Sequence, residues 1–478
     1  MNIVHISAEC YPYAKAGGLG DVVGALPKYL NQSRHQAMVI LPYYYNERLR
    51  DAEKSLVYEG QAPLGVEPFA FRVYKVDDSK DFDLYVIDIP GRFDRPGIYI
   101  DPWSGHAYWD EKERFISYQV AALEWLKIED FKPDIIHSHD HHTALIPFMM
   151  GQAFRFENFR ETPSILTIHN GEYQGRYSRD DYDLLPAFNL ENIGLLDWDG
   201  ALNSLAAGIK TAWSVTTVSE GYMEELLEYC HGLEQLLRHE KEKTIGIVNG
   251  IDSDVWNPET DQYIGHNYSK KSSKTGKSKN KKILCNEFEV DPKSPVFSFI
   301  GRLVREKGAD LLPSLIQKCS EEGVDASFIV LGTGDPSLHE VFDKLSDEHF
   351  GYFDTRLEYN EQLAHQIYAG SDFLLMPSRV EPCGLNQLYA MRYGTIPVVR
   401  KTGGLADTVK DLHEKSGYGI VFDEFSVGDA YRAVERGVEL FAEKALFKKK
   451  VEKVMSLDYS WRRSTEKYIS LYNSLIKS

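Results

Sequence analysis

Long apolar runs are missing from this sequence. No stretch of about 18 consecutive apolar residues occurs, and the first residues do not combine a basic leader with an apolar segment. We therefore expect no signal peptide, transit peptide or membrane span. Cysteine is also scarce: the five cysteines are an odd number without paired metal-ligand spacing, which disfavours a disulfide framework and favours a reducing cytoplasm.

Positive charge is in deficit, because 54 Lys and Arg residues oppose 72 Asp and Glu residues, for a formal net charge of −18. A chain of this charge is repelled by nucleic acids and by anionic lipid surfaces, so we expect neither as a partner. An anionic small molecule would need a local basic pocket. With 478 residues, of which 43% are hydrophobic and 26% charged, the chain has a globular composition and is too long for one core, which predicts two domains.

Short apolar segments alternate with helical patterns along the whole chain. Met1–Glu9 is typical of a buried strand, the glycine-rich turn Lys15–Asp21 follows it, and Val22–Leu30 has helical periodicity. The pattern begins again after Trp256, which predicts an α/β fold of two doubly wound, Rossmann-like domains with parallel sheets. Further strands are predicted at Ala37–Leu41, Asp83–Ile89, Asp134–Ser138, Ser164–His169, Ser214–Val218, Pro295–Gly301, Ala326–Leu331, Phe373–Met376 and Ile396–Val399.

A basic, low-complexity segment lies between the two halves. Ser269–Lys282 contains seven lysines and almost nothing apolar, so we predict a solvated loop. Docking of nucleic acid or glucan is the less favoured alternative.

One internal repeat supports two similar halves. Lys15–Val23 and Lys401–Val409 match at Lys, Gly, Gly, Leu, Asp and the final Val, each between an apolar strand and a helix. A glycine pair lets a ligand approach the backbone, and the helix that follows attracts phosphate, although many such turns need glycine for steric reasons alone. Because open α/β sheets bind ligands at their carboxyl edge, two such domains facing each other would enclose one cleft.

Two cations follow a predicted strand of the second half. Arg302 and Lys307 lie in the segment Gly301–Gly308, where that strand ends. Fixed cations there would stabilise the charge that grows on a departing diphosphate. The alternative is a surface salt bridge to Glu306 or Asp310.

Glu381 follows another predicted strand and precedes a helix. Its carboxylate could bind sugar hydroxyls or stabilise an oxocarbenium-like centre, or it could only interact with the helix N-terminus. We interpret Cys383 as a small packing residue and not as a nucleophile, since no histidine base is beside it in the sequence.

Histidines are concentrated in His137–His142. Neighbouring residues of a strand alternate between faces, so these imidazoles cannot all converge on one ion, and we expect no metal. Asp140 and His169 are better interpreted as polar groups at strand ends, where His169 could bind a sugar hydroxyl. A satisfied core histidine is the alternative for His169.

Aromatic residues cluster near Tyr99, Trp103, Tyr108 and Trp109. Sugar rings stack on such flat apolar faces, although for any single one of these residues ordinary packing is the favoured interpretation.

Taken together, these motifs resemble the bacterial glycogen synthase and plant starch synthase family, which are glycosyltransferases of the two-domain GT-B fold. The resemblance runs nearly end to end. It implies a domain at residues 1–252, a domain at residues 253–457 that binds the sugar nucleotide, and a final helix at residues 458–478 that crosses back onto the first domain. The motifs that carry the resemblance are Lys15-Ala-Gly-Gly-Leu, Arg95-Pro-Gly, His137-Ser-His-Asp140, His169-Asn170 with Tyr173-Gln-Gly175, Asn249-Gly-Ile-Asp252 with Trp256-Asn-Pro-Glu-Thr-Asp261, Gly301-Arg-Leu, Glu381-Pro-Cys-Gly-Leu and Thr402-Gly-Gly-Leu-Ala-Asp-Thr.

The resemblance also implies roles for individual residues. Lys15, Arg302 and Lys307 are expected at the nucleotide phosphates, and His169 and Glu381 at the donor glucose. The expected substrate-binding residues are Gly18, which would offer its amide to phosphate, Asp21, Tyr99, Asp140, Asn170, Asn249, Tyr359, whose ring would stack on adenine, Cys383, Gly384, Leu385, Gly403 and Gly404.

The reaction implied by the resemblance is transfer of glucose from ADP-glucose to the non-reducing end of an α-1,4-glucan such as glycogen, with retention of configuration. Neither a metal nor a cofactor is expected. The acceptor would attack from the front face while the leaving phosphate helps to deprotonate it, and domain closure would exclude water.

Three positions depart from the family pattern: Ala206 replaces a lysine, His141 a tryptophan and Glu220 a proline. They leave open a UDP-glucose donor, another retaining GT-B glucosyltransferase with a small acceptor, or a catalytically silent glucan-binding protein.

Overall fold

The computed structural model describes residues 1–477 and divides into two compact units. The N-terminal unit comprises Met1–Val218, Met223–Ile247 and the segment from Ser464 onward. The C-terminal unit comprises Ser219–Tyr222 and Val248–Arg463. The predicted domain limits at residues 252 and 457 stay predictions.

The N-terminal unit is built on a nine-stranded sheet. Its order is β12-β11-β7-β6-β1-β2-β5-β4-β3, and the pairs from β12 to β5 are parallel, whereas β5, β4 and β3 form antiparallel pairs at one edge. A small sheet has the order β8-β10-β9. The strands are β1 (Asn2–Ile6), β2 (Gln36–Pro42), β3 (Lys54–Leu64), β4 (Glu67–Val76), β5 (Asp83–Asp88), β6 (Ile135–His139), β7 (Ser164–Ile168), β8 (Arg176–Tyr177), β9 (Asp197–Trp198), β10 (Ala201–Asn203), β11 (Ser214–Thr217) and β12 (Thr244–Gly246).

The central strands of this sheet are buried on both faces, as the short apolar runs predict. Val4 and Ile6 of β1, Val39 of β2 and Ile136 of β6 are inaccessible to solvent and belong to one core. The helices of this part of the chain are α1 (Gly18–Gln32), α2 (Glu47–Asp51), α3 (Glu111–Ile128), α4 (Leu145–Gln152), α5 (Ser204–Thr211), α6 (Glu220–Glu228), whose first three residues belong to the C-terminal unit, and α7 (Glu234–His239).

The C-terminal unit has a six-stranded parallel sheet of order β15-β14-β13-β16-β17-β18. The predicted α/β fold is therefore confirmed. The strands are β13 (Val296–Ile300), β14 (Ser327–Leu331), β15 (Phe353–Arg356), β16 (Phe373–Met376), β17 (Ile396–Arg400) and β18 (Ile420–Phe422). The helices are α8 (Ser273–Glu287), α9 (Leu312–Glu321), α10 (Pro336–Glu348), α11 (Glu361–Gly370), α12 (Asn386–Arg392), α13 (Gly403–Thr408), α14 (Val427–Ala442), α15 (Lys444–Val454) and α16 (Trp461–Ile476), the last of which continues into the N-terminal unit.

The prediction of a solvated loop at Ser269–Lys282 is wrong, because most of this segment forms α8. The Nζ atom of Lys277 donates to the carbonyl oxygens of Tyr368 and Ala369 and to the hydroxyl of Thr395, at 2.8–3.3 Å. Lys277, a buried polar residue of α8, thus has hydrogen-bond partners inside the C-terminal unit. The buried residues recur with helical period, at Ser273, Gly276, Lys277, Asn280, Lys281, Leu284 and Cys285.

Residues of the final segment complete the N-terminal unit. The hydroxyl of Tyr472, in α16, lies 2.9 Å from Nδ1 of His137 in β6, and both side chains are fully buried. None of the helices in residues 1–477 combines the length and the apolar composition that crossing a bilayer requires.

Candidate functional site

A buried carboxylate holds the glycine-rich loop of the N-terminal unit. Glu9 lies just beyond the end of β1, and its Oε2 accepts hydrogen bonds from the backbone N–H groups of Ala16, at 2.6 Å, and Gly17, at 2.8 Å. Its Oε1 accepts a hydrogen bond from the hydroxyl of Tyr99 at 2.7 Å. Glu9 is absent from the predicted site, although a carboxylate at the end of an apolar strand is a visible signal. It fixes the backbone that leads into α1.

The loop and the start of α1 offer a lysine and the N–H group of Gly18. Gly18 is the first residue of α1, and its N–H has no hydrogen-bond partner in the part of the chain that the structure describes. A Cβ atom on Gly18 would have open space around it. Close by in the chain, Nζ of Lys15 lies 2.6 Å from Oδ1 of Asp21. An amide at the start of a 15-residue helix, with a lysine in the same loop, suits an anionic ligand.

Asp140 has a strained backbone. It lies at the carboxyl end of β6 with φ 57° and ψ −178°, a combination that residues other than glycine adopt only under constraint. Its Oδ1 accepts hydrogen bonds from the backbone N–H groups of His169, at 2.7 Å, and Asn170, at 3.3 Å. Burial raises the pKa of Asp140 to about 7, against the two N–H groups, which lower it. The structure thus brings these three predicted residues together.

His137 and His139 lie on one face of β6, where His5 of β1 joins them. Burial lowers the pKa of all three imidazoles, so they are neutral at pH 7. The ring nitrogens of His137 bond to Tyr472, at 2.9 Å, and to Thr167, at 2.6 Å, which fits a hydrogen-bonded core better than a metal centre. The absence of a metal stays a prediction. Two sets of described residues bring three potential metal ligands within 4.8 Å of one another: His5, His137 and His139, and Glu111, His141 and His142.

An ion pair joins two predicted residues of the C-terminal unit. Nζ of Lys307 lies 2.8 Å from Oε1 of Glu381, whose Oε2 accepts a hydrogen bond from the hydroxyl of Ser378 at 3.0 Å. Burial lowers the pKa of Lys307, but the carboxylates of Glu381 and Glu306 outweigh it, so the pKa is raised overall and the ammonium stays charged. Ser378 is absent from the predicted site. It fixes the second oxygen of Glu381 and so orients the carboxylate.

Arg302 forms the salt bridge that the sequence left open as an alternative. Its guanidinium lies 3.3 Å from Oε2 of Glu306, and Nζ of Lys307 lies 3.3 Å from Oε1 of the same carboxylate. Asp310 pairs instead with Arg379, at 2.6 and 2.8 Å. The side chain of Arg302 is 63% exposed, whereas that of Lys307 is 20% exposed. Two cations therefore lie on one loop at the carboxyl end of β13, and Arg302 is the more accessible.

A tight turn presses the Lys307 loop against the loop that follows β16. Gly308 has φ 70°, and a Cβ atom there would lie 2.0 Å from the carbonyl oxygen of Pro377. The backbone N–H of Arg379 also donates to the carbonyl oxygen of Glu306 at 2.8 Å. This contact holds Lys307 beside Glu381, and it requires glycine at position 308.

The Glu381–Leu385 loop packs against Gly403 and Gly404, the glycine pair of the second copy of the internal repeat. Cys383 is buried, and burial raises the pKa of its thiol to about 12, so the thiol is not an ionised nucleophile at neutral pH. A Cβ atom on Gly404 would lie 2.2 Å from the carbonyl oxygen of Cys383, and the N–H of Gly404 donates to the carbonyl oxygen of Glu381 at 3.0 Å. Gly404 thus has a steric role and its amide is already used. Gly384, Leu385 and Gly403 lie beside it, and their contact with substrate stays a prediction.

The two remaining predicted residues of this unit differ in exposure. Tyr359 lies between β15 and α11 at the carboxyl edge of the sheet and is 80% exposed, as a ring that awaits a stacking partner would be. Asn249 is buried, and its Oδ1 has no hydrogen-bond partner in the described residues.

Two of the three departures from the family pattern, His141 and Ala206, lie at buried positions. Nε2 of His141 lies 3.3 Å from Oε1 of Glu111. Ala206 is fully buried in α5, where its N–H donates to the side chain of Asn203 at 2.9 Å. Glu220 is the first residue of α6.

Both halves of the chain match family models. Residues 2–239 match the starch synthase catalytic domain, and residues 280–453 match glycosyl transferases group 1. A glycogen synthase of Flavobacterium johnsoniae is 46% identical to the chain over 100% of both proteins. The chain belongs to the glycogen and starch synthase family. Another family member, the glycogen synthase of Thermodesulfovibrio yellowstonii, is 39% identical over 100% of this chain and 98% of its own.

Solved structures agree with membership of the glycogen and starch synthase family. The catalytic domain of starch synthase IV from Arabidopsis thaliana, bound to ADP and acarbose, is 31% identical, with a TM-score of 0.88 over 100% of this chain and 99% of its own. Sucrose-phosphate synthase from Thermosynechococcus elongatus has a TM-score of 0.60 over the full length of both chains at 14% identity, a likeness of fold alone. The chain is therefore a glycosyltransferase of the glycogen and starch synthase type.

Proposed function

We propose that this glycosyltransferase transfers glucose from ADP-glucose to the non-reducing end of an α-1,4-glucan, with retention of configuration and without a metal ion. The observation that carries the proposal is the pair formed by Lys307 and Glu381, 2.8 Å apart at the carboxyl edge of the sheet, in a member of this family. The ADP and acarbose bound to starch synthase IV support an adenine nucleotide as donor and a glucan as acceptor.

Arg302 and Lys307 are proposed to bind the diphosphate. Negative charge grows on the leaving phosphate as its bond to glucose breaks, and fixed cations stabilise that charge more in the transition state than in the ground state. Lys307 is partly buried and held by Glu381, so it needs little reorganisation when the charge develops. Arg302 is exposed and can move toward the ligand. Lys15 and the N–H of Gly18, in the N-terminal unit, are proposed to contact phosphate as well.

Glu381 and His169 are proposed to bind the donor glucose. Both oxygens of Glu381 already accept contacts within the protein, from Lys307 and Ser378, so the carboxylate is oriented before a sugar hydroxyl reaches it. Asp140 is proposed to line the acceptor side, where its strained backbone and its two N–H donors hold the carboxyl group in one place. Asp21, Tyr99, Asn170, Asn249 and Tyr359 stay proposed substrate contacts.

No enzymatic nucleophile is required in this proposal. The acceptor hydroxyl attacks the anomeric carbon on the face from which the diphosphate departs, and a phosphate oxygen takes the hydroxyl proton. The bond from carbon to phosphate oxygen breaks as the new glycosidic bond forms. The raised pKa of the Cys383 thiol supports the absence of covalent catalysis by that residue. The domain closure implied by the resemblance stays a prediction.

Five cysteines without a disulfide fit the proposed cytoplasmic location.

Incubation with radiolabelled ADP-glucose or UDP-glucose and a malto-oligosaccharide primer tests the proposal. We expect longer α-1,4-linked chains with ADP-glucose, at a kcat/KM at least about tenfold above that with UDP-glucose. Higher turnover with UDP-glucose would overturn the assigned donor, and a single transfer to a small acceptor would overturn the assigned product. No incorporation with either donor, together with tight glucan binding and no affinity for ADP, would identify a silent glucan-binding protein instead.

A further inference from the structure

Three imidazoles form a continuous row across the N-terminal sheet. Nδ1 of His5, in β1, lies 3.1 Å from Nε2 of His139, in β6, and Nδ1 of His139 lies 3.1 Å from Nε2 of His169, which follows β7. These strands are neighbours in the order β7-β6-β1. His5 and His139 are fully buried, and His169 is nearly so. The row therefore ends at the proposed sugar-binding histidine.

Each contact in the row needs one donor and one acceptor nitrogen. Burial lowers the pKa of His5 and His169 to about 3 and that of His139 well below its ordinary value, so each ring is neutral and carries one proton. Two arrangements satisfy both contacts. In one, all three protons lie on Nδ1; in the other, all three lie on Nε2.

The far end of the row distinguishes the two arrangements. Nε2 of His5 is buried and has no hydrogen-bond partner among residues 1–477. A proton there would leave a buried N–H group without an acceptor, which destabilises the folded state, whereas a bare ring nitrogen there leaves no donor unsatisfied. The arrangement with all protons on Nδ1 is thus favoured. His169 then accepts at Nε2 and keeps a proton on Nδ1, which has no protein partner within the described residues.

We infer that His5 and His139 are positioning residues that hold His169 as its Nδ1–H tautomer, so that Nδ1 of His169 donates a hydrogen bond to a hydroxyl of the donor sugar. The inference rests on the role proposed above for His169. A histidine with the opposite tautomer would present a lone pair at Nδ1 and could only accept from the sugar. The two buried imidazoles thus act on the substrate through a third.

His137 offers a matched control. It lies on the same face of the same strand as His139, its ring stacks on that of His139 with centroids 4.3 Å apart, and it is equally buried. Its nitrogens bond to Tyr472 and Thr167 and not to the row. Substituting His137 therefore removes a buried imidazole of comparable packing without removing a link to His169.

The tautomer is measured directly by long-range proton–nitrogen NMR spectra of perdeuterated protein carrying 15N-histidine, with His169 assigned through a His169→Gln variant. We expect the Nδ1–H form of His169 in the wild type and in His137→Leu. In His139→Leu we expect the Nε2–H form or a mixture. An Nε2–H form of His169 in the wild type, or an unchanged tautomer in His139→Leu, would overturn the inference.

Kinetics with ADP-glucose and glycogen provide the second readout. We expect His139→Leu to lower kcat roughly 10- to 100-fold with little change in the KM for glycogen, and His137→Leu to lower it by less than about threefold. His139→Asn should recover part of kcat, because its amide places an N–H group near the former Nδ1. Equal losses in the two leucine variants would assign the effect to packing and refute positioning.

The two proposals fail separately. An active enzyme whose His169 carries its proton on Nε2 sinks only the inference about the row. An inactive enzyme with the Nδ1–H form would sink the proposed function while the tautomer assignment holds.

Discussion

Lys307 and Glu381 are 74 residues apart in the chain, yet Nζ of the lysine lies 2.8 Å from Oε1 of the glutamate. The contact joins the loop after β13 to the loop after β16, which belong to neighbouring strands of the parallel sheet. A charged lysine held by an oriented carboxylate is a preorganised cation. In the proposed reaction, this cation would stabilise the departing diphosphate with little reorganisation.

Removal of this cation should affect chemistry more than polymer binding. We expect Lys307→Ala to lower kcat with ADP-glucose about 100- to 1000-fold, as loss of one preorganised donor does elsewhere, and to leave the affinity for glycogen nearly unchanged. Steady-state kinetics and affinity electrophoresis in glycogen gels measure the two quantities. Lys344→Ala, which removes an exposed lysine of α10, is the control and should retain full activity. A loss of glycogen affinity as large as the loss of kcat would contradict the assigned role.

Gly18 and Gly24 of α1 should respond differently to alanine. A Cβ atom at Gly18 has open space, so Gly18→Ala should fold with unchanged stability, but its methyl group would obstruct a phosphate approaching the N–H. We expect ADP to bind roughly 10- to 100-fold more weakly. At Gly24 a Cβ atom would lie 2.5 Å from the carbonyl oxygen of Tyr11, so Gly24→Ala should cost about 1–3 kcal/mol of stability. Thermal unfolding with and without ADP separates the two effects, and unchanged ADP affinity in Gly18→Ala would exclude the amide as a ligand.

Asp140 should make stability depend on pH. Its carboxyl group titrates near 7 when folded but near 3.8 when unfolded, so the folded state retains a proton that the unfolded state has lost between these values. The resulting stabilisation is complete below about pH 3.8 and disappears as the pH rises to about 7. Asp140→Asn cannot lose this proton. Its free energy of unfolding should therefore rise relative to the wild type from pH 4 to pH 7.5, by at most about 4 kcal/mol.

Chemical unfolding at several pH values measures this difference. Asp343→Asn, at an exposed position of α10, is the control and should differ from the wild type by a constant amount. A constant difference for Asp140→Asn as well would show that its carboxyl group is already ionised at pH 4.

The lysines of α8 should divide into structural and dispensable ones. Lys277→Met would leave the carbonyl oxygen of Ala369 and the hydroxyl oxygen of Thr395 without a donor, at a cost of about 2–4 kcal/mol, which lowers the melting temperature by on the order of 10 °C. Lys279→Met, on the exposed side of the same helix, should change stability by less than about 0.5 kcal/mol. Differential scanning calorimetry measures both. Similar melting temperatures for the two variants would instead support the solvated loop that composition predicts for this segment.

The α/β fold was predictable because its signals are local. A buried parallel strand needs a short apolar run, and a turn of glycine and polar residues ends it, so the positions of Arg302, Lys307 and Glu381 at strand ends could be inferred from the chain alone. Glu306 was predicted as an alternative partner of the two cations, but Glu381 was not predicted as a partner of Lys307. The pairing of Lys307 with Glu381 depends on the order of β13 and β16 in the sheet, which no local pattern encodes.

Predictions from amino-acid composition failed where polar residues are buried and hydrogen-bonded. The lysines of α8 recur with helical spacing, but a lysine normally marks a solvated face, and the acceptors of Lys277 come from residues about 90 positions later. The carboxylate of Glu9 at the end of an apolar strand was a visible signal, but two of its three partners are backbone N–H groups, which no residue type marks in the sequence. Successive residues of a strand point to opposite faces, whereas residues two positions apart share a face. His137 and His139 therefore lie beside each other.

The hydrogen bond between Tyr472 and His137 links the last helix of the chain to a central strand of the first sheet. Domains commonly fold in the order in which the ribosome produces them, the earliest first. In the N-terminal unit some of the interior can be added only late, because Tyr472 lies more than 300 residues after His137 in the chain. The ribosome therefore completes the C-terminal unit before it produces the last residues of the N-terminal unit.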